Sequence, residues 1–156
     1  MINLKCILYP TDFSELSLHS LKYVRSFAEA YQAEVHVLHV VDEAYQYWTA
    51  MGPNSLPICP PPAELVTGSK TELDRFIQQH LAGLAAPVER LVVLGRPFLE
   101  IIRYAKERQI DLIILGTHGR SGLTQALLGS VAEKVVRKAP CPVLTIRHPE
   151  HDFVMP

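Results

Sequence analysis

Short apolar runs alternate along this chain with longer stretches whose apolar residues recur at helical spacing, and that alternation most limits what it can fold into. A strand-like run, Lys5-Cys-Ile-Leu-Tyr9, stops at Pro10. From Ser14 to Tyr31 the residues Leu18, Leu21, Val24, Ala28 and Tyr31 form one helical stripe, with Ser14 placed to cap it. Further strands are predicted at Glu34–Val40, Val88–Leu94, Asp111–Leu115 and Pro142–Arg147. Helices are predicted from Ala63 to about Leu84, from Pro97 inward, and from Ser130 to Lys138. Strands separated by helices give a parallel sheet wrapped on both faces. Asp111–Leu115 is almost wholly apolar, as a strand covered on both faces must be.

The chain has 156 residues, enough for one domain, and 48% of them are hydrophobic. We expect one domain over residues 1–147, an irregular aromatic and proline-rich loop at 42–62, and a polar tail at 148–156. Fifteen basic residues stand against 16 acidic ones, so bulk electrostatics points neither to nucleic acid nor to a membrane surface. No apolar run is long enough to span a bilayer and no leader pattern opens the chain, which leads us to expect a cytoplasmic protein.

Cys6, Cys59 and Cys141 show no zinc-type spacing and are read as reduced residues, with Cys141 serving as packing rather than as a redox switch. His36 and His39 fall on opposite faces of their strand, so the two do not share an ion; no metal ligand is predicted.

Function is concentrated in the stretch Gly116-Thr-His-Gly119-Arg-Ser-Gly-Leu-Thr-Gln-Ala-Leu-Leu-Gly129-Ser130. It leaves the most apolar strand and ends where a helix begins. Ligands of open parallel sheets settle outside the carboxyl ends of strands, where the strand order reverses. Glycines let the main chain approach a ligand closely, and a helix amino terminus attracts an anion such as phosphate. On this reading Gly129 and Ser130 present free amides, while Arg120 and the Ser130 hydroxyl add hydrogen bonds. Neither a Walker loop nor a Gly-x-Gly-x-x-Gly fingerprint is present.

The spacing Gly116, Gly119, Gly129, Ser130 resembles the nucleotide signature of the universal stress protein family. The likeness extends to Ile7-Leu-Tyr-Pro-Thr-Asp-Phe-Ser14, Leu38-His-Val-Val-Asp42, Gly95-Arg-Pro97 and Pro140-Cys-Pro-Val-Leu144. The resemblance, to that family's ATP-binding branch, implies a five-stranded α/β sheet ordered 3-2-1-4-5, the adenine nucleotide alpha hydrolase-like fold. It implies ATP, ADP or AMP held across strands 1 and 4, with Mg2+ a further candidate. Pro10 and Thr11 would shape the wall and Asp12 would contact the adenosine. Val40 would offer main-chain groups to the adenine. Gly116 and Gly119 would underlie ribose and phosphates, and Gly129, Ser130 and Val131 would hold the phosphate chain; Leu115, Arg120 and His118, a hydrogen-bond donor from the loop, join the same binding set. Family likeness also implies a homodimer through the last strand, where Val143, Thr145 and Arg147 alternate.

The implied role is regulatory, with little or no turnover. Slow ATP hydrolysis or self-phosphorylation, at Ser130 or Ser121, stays open, as does a small enzyme acting on an adenylate. A protein-interaction module with a vestigial pocket is the alternative from another class. Tyr45, Tyr47 and Trp48 are candidates to cover the nucleotide or to meet a partner.

Overall fold

Five parallel strands form one sheet in the order β3-β2-β1-β4-β5. The computed structural model describes residues 1–42, 60–117 and 129–147. The strands are β1 (Cys6–Pro10), β2 (Glu34–Val41), β3 (Val88–Leu94), β4 (Leu112–Gly116) and β5 (Val143–Ile146). The helices are α1 (Glu15–Leu18), α2 (Leu21–Tyr31), α3 (Pro62–His80), α4 (Pro97–Glu107) and α5 (Ser130–Lys138). The expected strand order and the helices on both faces are therefore present.

Side-chain alternation along the strands divides the core in two. Ile7, Tyr9, Val35, Val37, Leu112 and Ile114 pack against Leu21, Val24 and Ala28 of α2 and Leu73 and Phe76 of α3. Leu8, Leu38, Ile113 and Leu115 face the other way, against Ile101, Tyr104 and Ala105 of α4 and Ala132 and Val135 of α5. β1 and β4 lie at the centre, and Ile7, Leu8, Ile113 and Ile114 are fully buried. No helix among the described residues is long and apolar enough to cross a membrane.

Two local expectations change. The helix read from Ser14 to Tyr31 is broken into α1 and α2. Ser14 does cap it, accepting from the Ser17 amide. The break follows from competition at the Ser17 carbonyl, which accepts from the Ser20 amide at 3.1 Å, the Ser20 hydroxyl at 2.6 Å and the Tyr9 phenol at 2.9 Å. Hydroxyls taking a backbone acceptor this way interrupt the helical ladder. Pro62, assigned to the irregular loop, instead opens α3 from the first turn, where a missing N–H costs nothing. That helix closes at His80 rather than near Leu84.

The opposite end of the sheet is fastened by Asp111. One of its carboxylate oxygens accepts from the amides of Lys5 (2.7 Å) and Cys6 (2.9 Å), tying the start of β1 to the start of β4.

Candidate functional site

β1 pairs on one side with β2 and on the other with β4, so the chain direction of crossing reverses between β1 and β4. That is where a parallel sheet opens a crevice beyond its carboxyl edge. Ile7 lies opposite Leu112 and Leu8 opposite Ile113. Carried forward, the register sets Thr11 level with Gly116 and Asp12 level with Thr117. The turn after β1 and Thr117, at the end of β4, therefore lie side by side at the carboxyl end of the sheet.

The turn after β1 is tightly held. Thr11 is buried; its amide donates to the Leu38 carbonyl, and its hydroxyl contacts the Ser17 hydroxyl and accepts from the Phe13 amide. The Thr11 carbonyl lies 2.9 Å from Nδ1 of His39, whose ring stacks on Phe13 with centroids 4.2 Å apart. Phe13 has φ 63°, a left-handed conformation that a bulky side chain adopts only under constraint, and the His39 stack supplies one. The sequence gives His39 away only as a polar residue within an apolar strand, and its bracing of this turn was not anticipated. Asp12 accepts from both the amide (3.0 Å) and the hydroxyl (2.5 Å) of Ser14 through one oxygen, Oδ1. Part of its role is thus to hold Ser14, the cap of α1, in place.

Val40 continues β2 beyond the last residue of β1. Peptide groups along a strand alternate between its two neighbours. The Leu38 carbonyl accepts from Thr11 on the β1 side, and the Val41 carbonyl accepts from Gly95 on the β3 side. The main chain of Val40 consequently faces the gap left where β1 turns away, an edge with one donor and one acceptor suited to a planar base.

Past β4, the Thr117 amide donates to the Ile146 carbonyl, and the Thr117 carbonyl accepts from the Gly129 amide at 2.6 Å. This last bond draws the amino terminus of α5 against the end of β4. It also corrects one expectation: the Gly129 amide is engaged by protein and is not offered to a ligand. Gly129 is the N-cap residue with φ −65° and ψ 157°, and no side chain among the described residues caps the helix. Among the described residues the first-turn amides of Ser130 and Val131 have no hydrogen-bond acceptor, and the start of a helix carries partial positive charge. Gly116 is partly exposed at the crevice. The Leu115 side chain lies in the core, so its contribution is confined to the main chain. Pro10 ends β1 opposite Leu38, one residue further than expected. His118, Gly119 and Arg120 fall outside the described residues, as do Tyr45, Tyr47 and Trp48.

Away from the crevice, burial pushes the Cys141 thiol upward, helped by the Asp111 carboxylate. A thiol held protonated is a poor nucleophile, in keeping with packing as its role.

The carboxyl end of the sheet thus brings together the main chain of Val40, the turn at Pro10–Asp12 and the start of α5. Comparison with known proteins identifies the same architecture. The sequence profile of the universal stress protein family matches residues 3–147. Universal stress protein MJ0577 of Methanocaldococcus jannaschii is 34% identical over 154 residues, covering 92% of this chain and 94% of its own. A solved structure of MJ0577 superposes with a TM-score of 0.80 at 33% identity, covering 96% of this chain and 99% of its own. More distant likenesses share the fold. One is a universal stress protein from Archaeoglobus fulgidus in complex with dAMP (TM-score 0.63, 21% identity, 93% and 98% covered). Another is a family member from Arabidopsis thaliana with AMP bound (TM-score 0.63, 16% identity, 95% and 94% covered). With nearly the whole chain matched in sequence and in fold, the protein belongs to the universal stress protein family.

Proposed function

We propose that this protein binds an adenine nucleotide, ATP foremost, in the crevice between β1 and β4, and acts as a regulatory protein with little or no turnover. The observation that carries the reading is the Gly129–Thr117 hydrogen bond. It sets a helix amino terminus, uncapped by any side chain among the described residues, beside the strand-order reversal. The adenine sits against the Val40 main chain, the ribose against Asp12 and Gly116, and the phosphates at Ser130 and Val131. His118, Gly119 and Arg120 belong to the same proposed set. That fold relatives are complexed with dAMP and AMP supports an adenine nucleotide as the ligand class.

Rapid hydrolysis needs an oriented water, a metal ion and charge stabilisation. Asp12 carries a carboxylate suited to Mg2+ on the phosphates. Self-phosphorylation would fall on Ser130 or Ser121, and incubation with labelled ATP reads it directly.

Mass spectrometry of nucleotide released from the purified protein tests the central reading. Thermal unfolding with and without ATP complements it. Saturation at 100 times Kd stabilises a folded protein by about 2.7 kcal/mol, or roughly 5–11 °C for a chain of this size. No released nucleotide and no shift with ATP, ADP or AMP would leave the interaction-module reading.

The position of β5 at the sheet edge favours a second proposal, a homodimer formed by pairing this strand with its copy. A monomeric mass at micromolar concentration contradicts it.

A further inference from the structure

At the opposite edge of the sheet from the nucleotide crevice, three donors of different chemistry converge. Cys6 opens β1 and Glu34 opens β2, and strand register places them side by side; His36 follows two residues along on the same face. The sulfur of Cys6, a carboxylate oxygen of Glu34 and a ring nitrogen of His36 all lie within 4.8 Å of one another. Glu89 of β3 is the register partner of His36 and adds a second carboxylate.

His36 is the informative member. It is only 5% exposed. Its Nδ1 lies 2.8 Å from the Tyr104 hydroxyl of α4, whereas Nε2 is buried without a hydrogen-bond partner among the described residues. A buried polar atom left unpaired is costly and calls for an explanation. Carboxylate oxygens of Glu34 and Glu89 stand 3.6 and 3.9 Å from Nε2. Those separations are too long for hydrogen bonds. They are close to the spacing of donors around a tetrahedral ion, whose edge is roughly 3.4 Å for bonds of about 2.0–2.2 Å.

We infer that Cys6, Glu34 and His36, with Glu89 as the fourth donor, form a zinc site. Thiolate and imidazole together select zinc over magnesium, calcium or manganese, and two carboxylates complete a four-coordinate set. His36 binds through Nε2 in the tautomer that donates from Nδ1 to the Tyr104 oxygen, the arrangement that orients most metal-bound imidazoles. Arg108 approaches the other oxygen of Glu89 at 3.6 Å and steadies it. In the metal-free protein the Cys6 thiol is pushed upward by burial and then by Glu34 and Asp111. Zinc binding releases its proton to solvent as the Zn–S bond forms. Glu34 and Glu89 are 40% and 38% exposed at their side chains, which gives the ion a path in and leaves Glu89, outside the three-donor cluster, free to swing toward it. Sequence spacing gave no hint of this site, because its donors come from three strands and meet only through register.

The test is zinc titration of the reduced, chelator-stripped full chain against a chromophoric competitor, with Co2+ as a spectroscopic probe. One equivalent should bind, with a thiolate-to-cobalt charge-transfer band. C6S should abolish that band, and E34Q should weaken zinc binding at least tenfold while the far-ultraviolet circular dichroism stays unchanged. Tyr104→Phe, which removes only the orienting partner, should cost about tenfold. A variant lacking Cys59, His148 and His151 should bind as the parent does. The inference is overturned by absence of saturable zinc binding, by binding that survives C6S and E34Q, or by loss of binding in the Cys59/His148/His151 variant.

Discussion

Replacing Gly129 by aspartate should strengthen the fold while abolishing nucleotide binding, and the opposite signs make the result hard to imitate by misfolding. Gly129 has φ −65° and ψ 157°, an extended N-cap conformation that any residue adopts without strain. Its glycine is therefore not required by the backbone. An aspartate there reaches the same first-turn amides that are proposed to hold phosphate. Capping contributes a few tenths of a kcal/mol over glycine, and a carboxylate at a helix amino terminus adds about 0.3–1 kcal/mol. The sum, about 0.5–1.5 kcal/mol, raises Tm by roughly 1–6 °C. Binding suffers twice. The phosphate loses charge-assisted hydrogen bonds of about 1.5–3 kcal/mol, and it meets a fixed negative charge within a few ångströms. A loss of at least about 3 kcal/mol weakens affinity more than 100-fold. Urea or thermal unfolding reads the first effect and calorimetry with ATP the second. Gly129→Asn, a neutral cap, separates blocked amides from repulsion, and should weaken binding less than aspartate does. Undiminished ATP binding by the aspartate variant would refute the placement of phosphate at α5, and a lowered Tm would refute the N-cap reading.

Three further outcomes follow from the fold. Asp111→Ala removes two hydrogen bonds that join β1 to β4, and should cost about 2 kcal/mol in urea unfolding; a change under about 0.5 kcal/mol contradicts that role. Gly95 has φ 154°, and a Cβ there would stand 2.8 Å from a Glu100 carboxylate oxygen. Gly95→Ala should accordingly lower stability by about 1–3 kcal/mol, and an unchanged Tm would count against the strain. Cys6, Tyr9, Tyr104 and Cys141 all titrate above their ordinary values, with burial the leading cause in each. Below the unfolded values, near 8.5 for cysteine and 10 for tyrosine, this contribution to stability is fully present. Above them the unfolded chain releases protons that the folded chain retains, so stability falls as pH rises toward the folded values. The urea midpoint should drop between about pH 7.5 and pH 10.5; a flat or rising midpoint rejects the assignment.

How much of this was legible beforehand depended on whether the cause was local. The start of α5 at Ser130 and its end at Lys138 follow from an apolar stripe after a glycine, and both agree with the structure. β4 was visible because a strand covered on both faces is apolar throughout. The break between α1 and α2 was not visible, because part of its cause is the Tyr9 hydroxyl, which arrives from a different element. His39 and Phe13 meet through tertiary folding, so their support of the Thr11–Asp12 turn left no mark in spacing. The occupied amide of Gly129 was missed for a related reason: the signature shows which residues are small, not which amides the protein itself consumes. Cys6 carries the point furthest, being far in sequence from Glu34 and His36 and adjacent to them only across strands.

Amide chemical shifts during an ATP titration address the nucleotide crevice most directly. The account predicts saturable shifts concentrated at Val40, Asp12, Gly116, Ser130 and Val131, with the sheet edge near Cys6 and Glu34 unmoved. Shifts confined to other surfaces, or none at millimolar ATP, would contradict it.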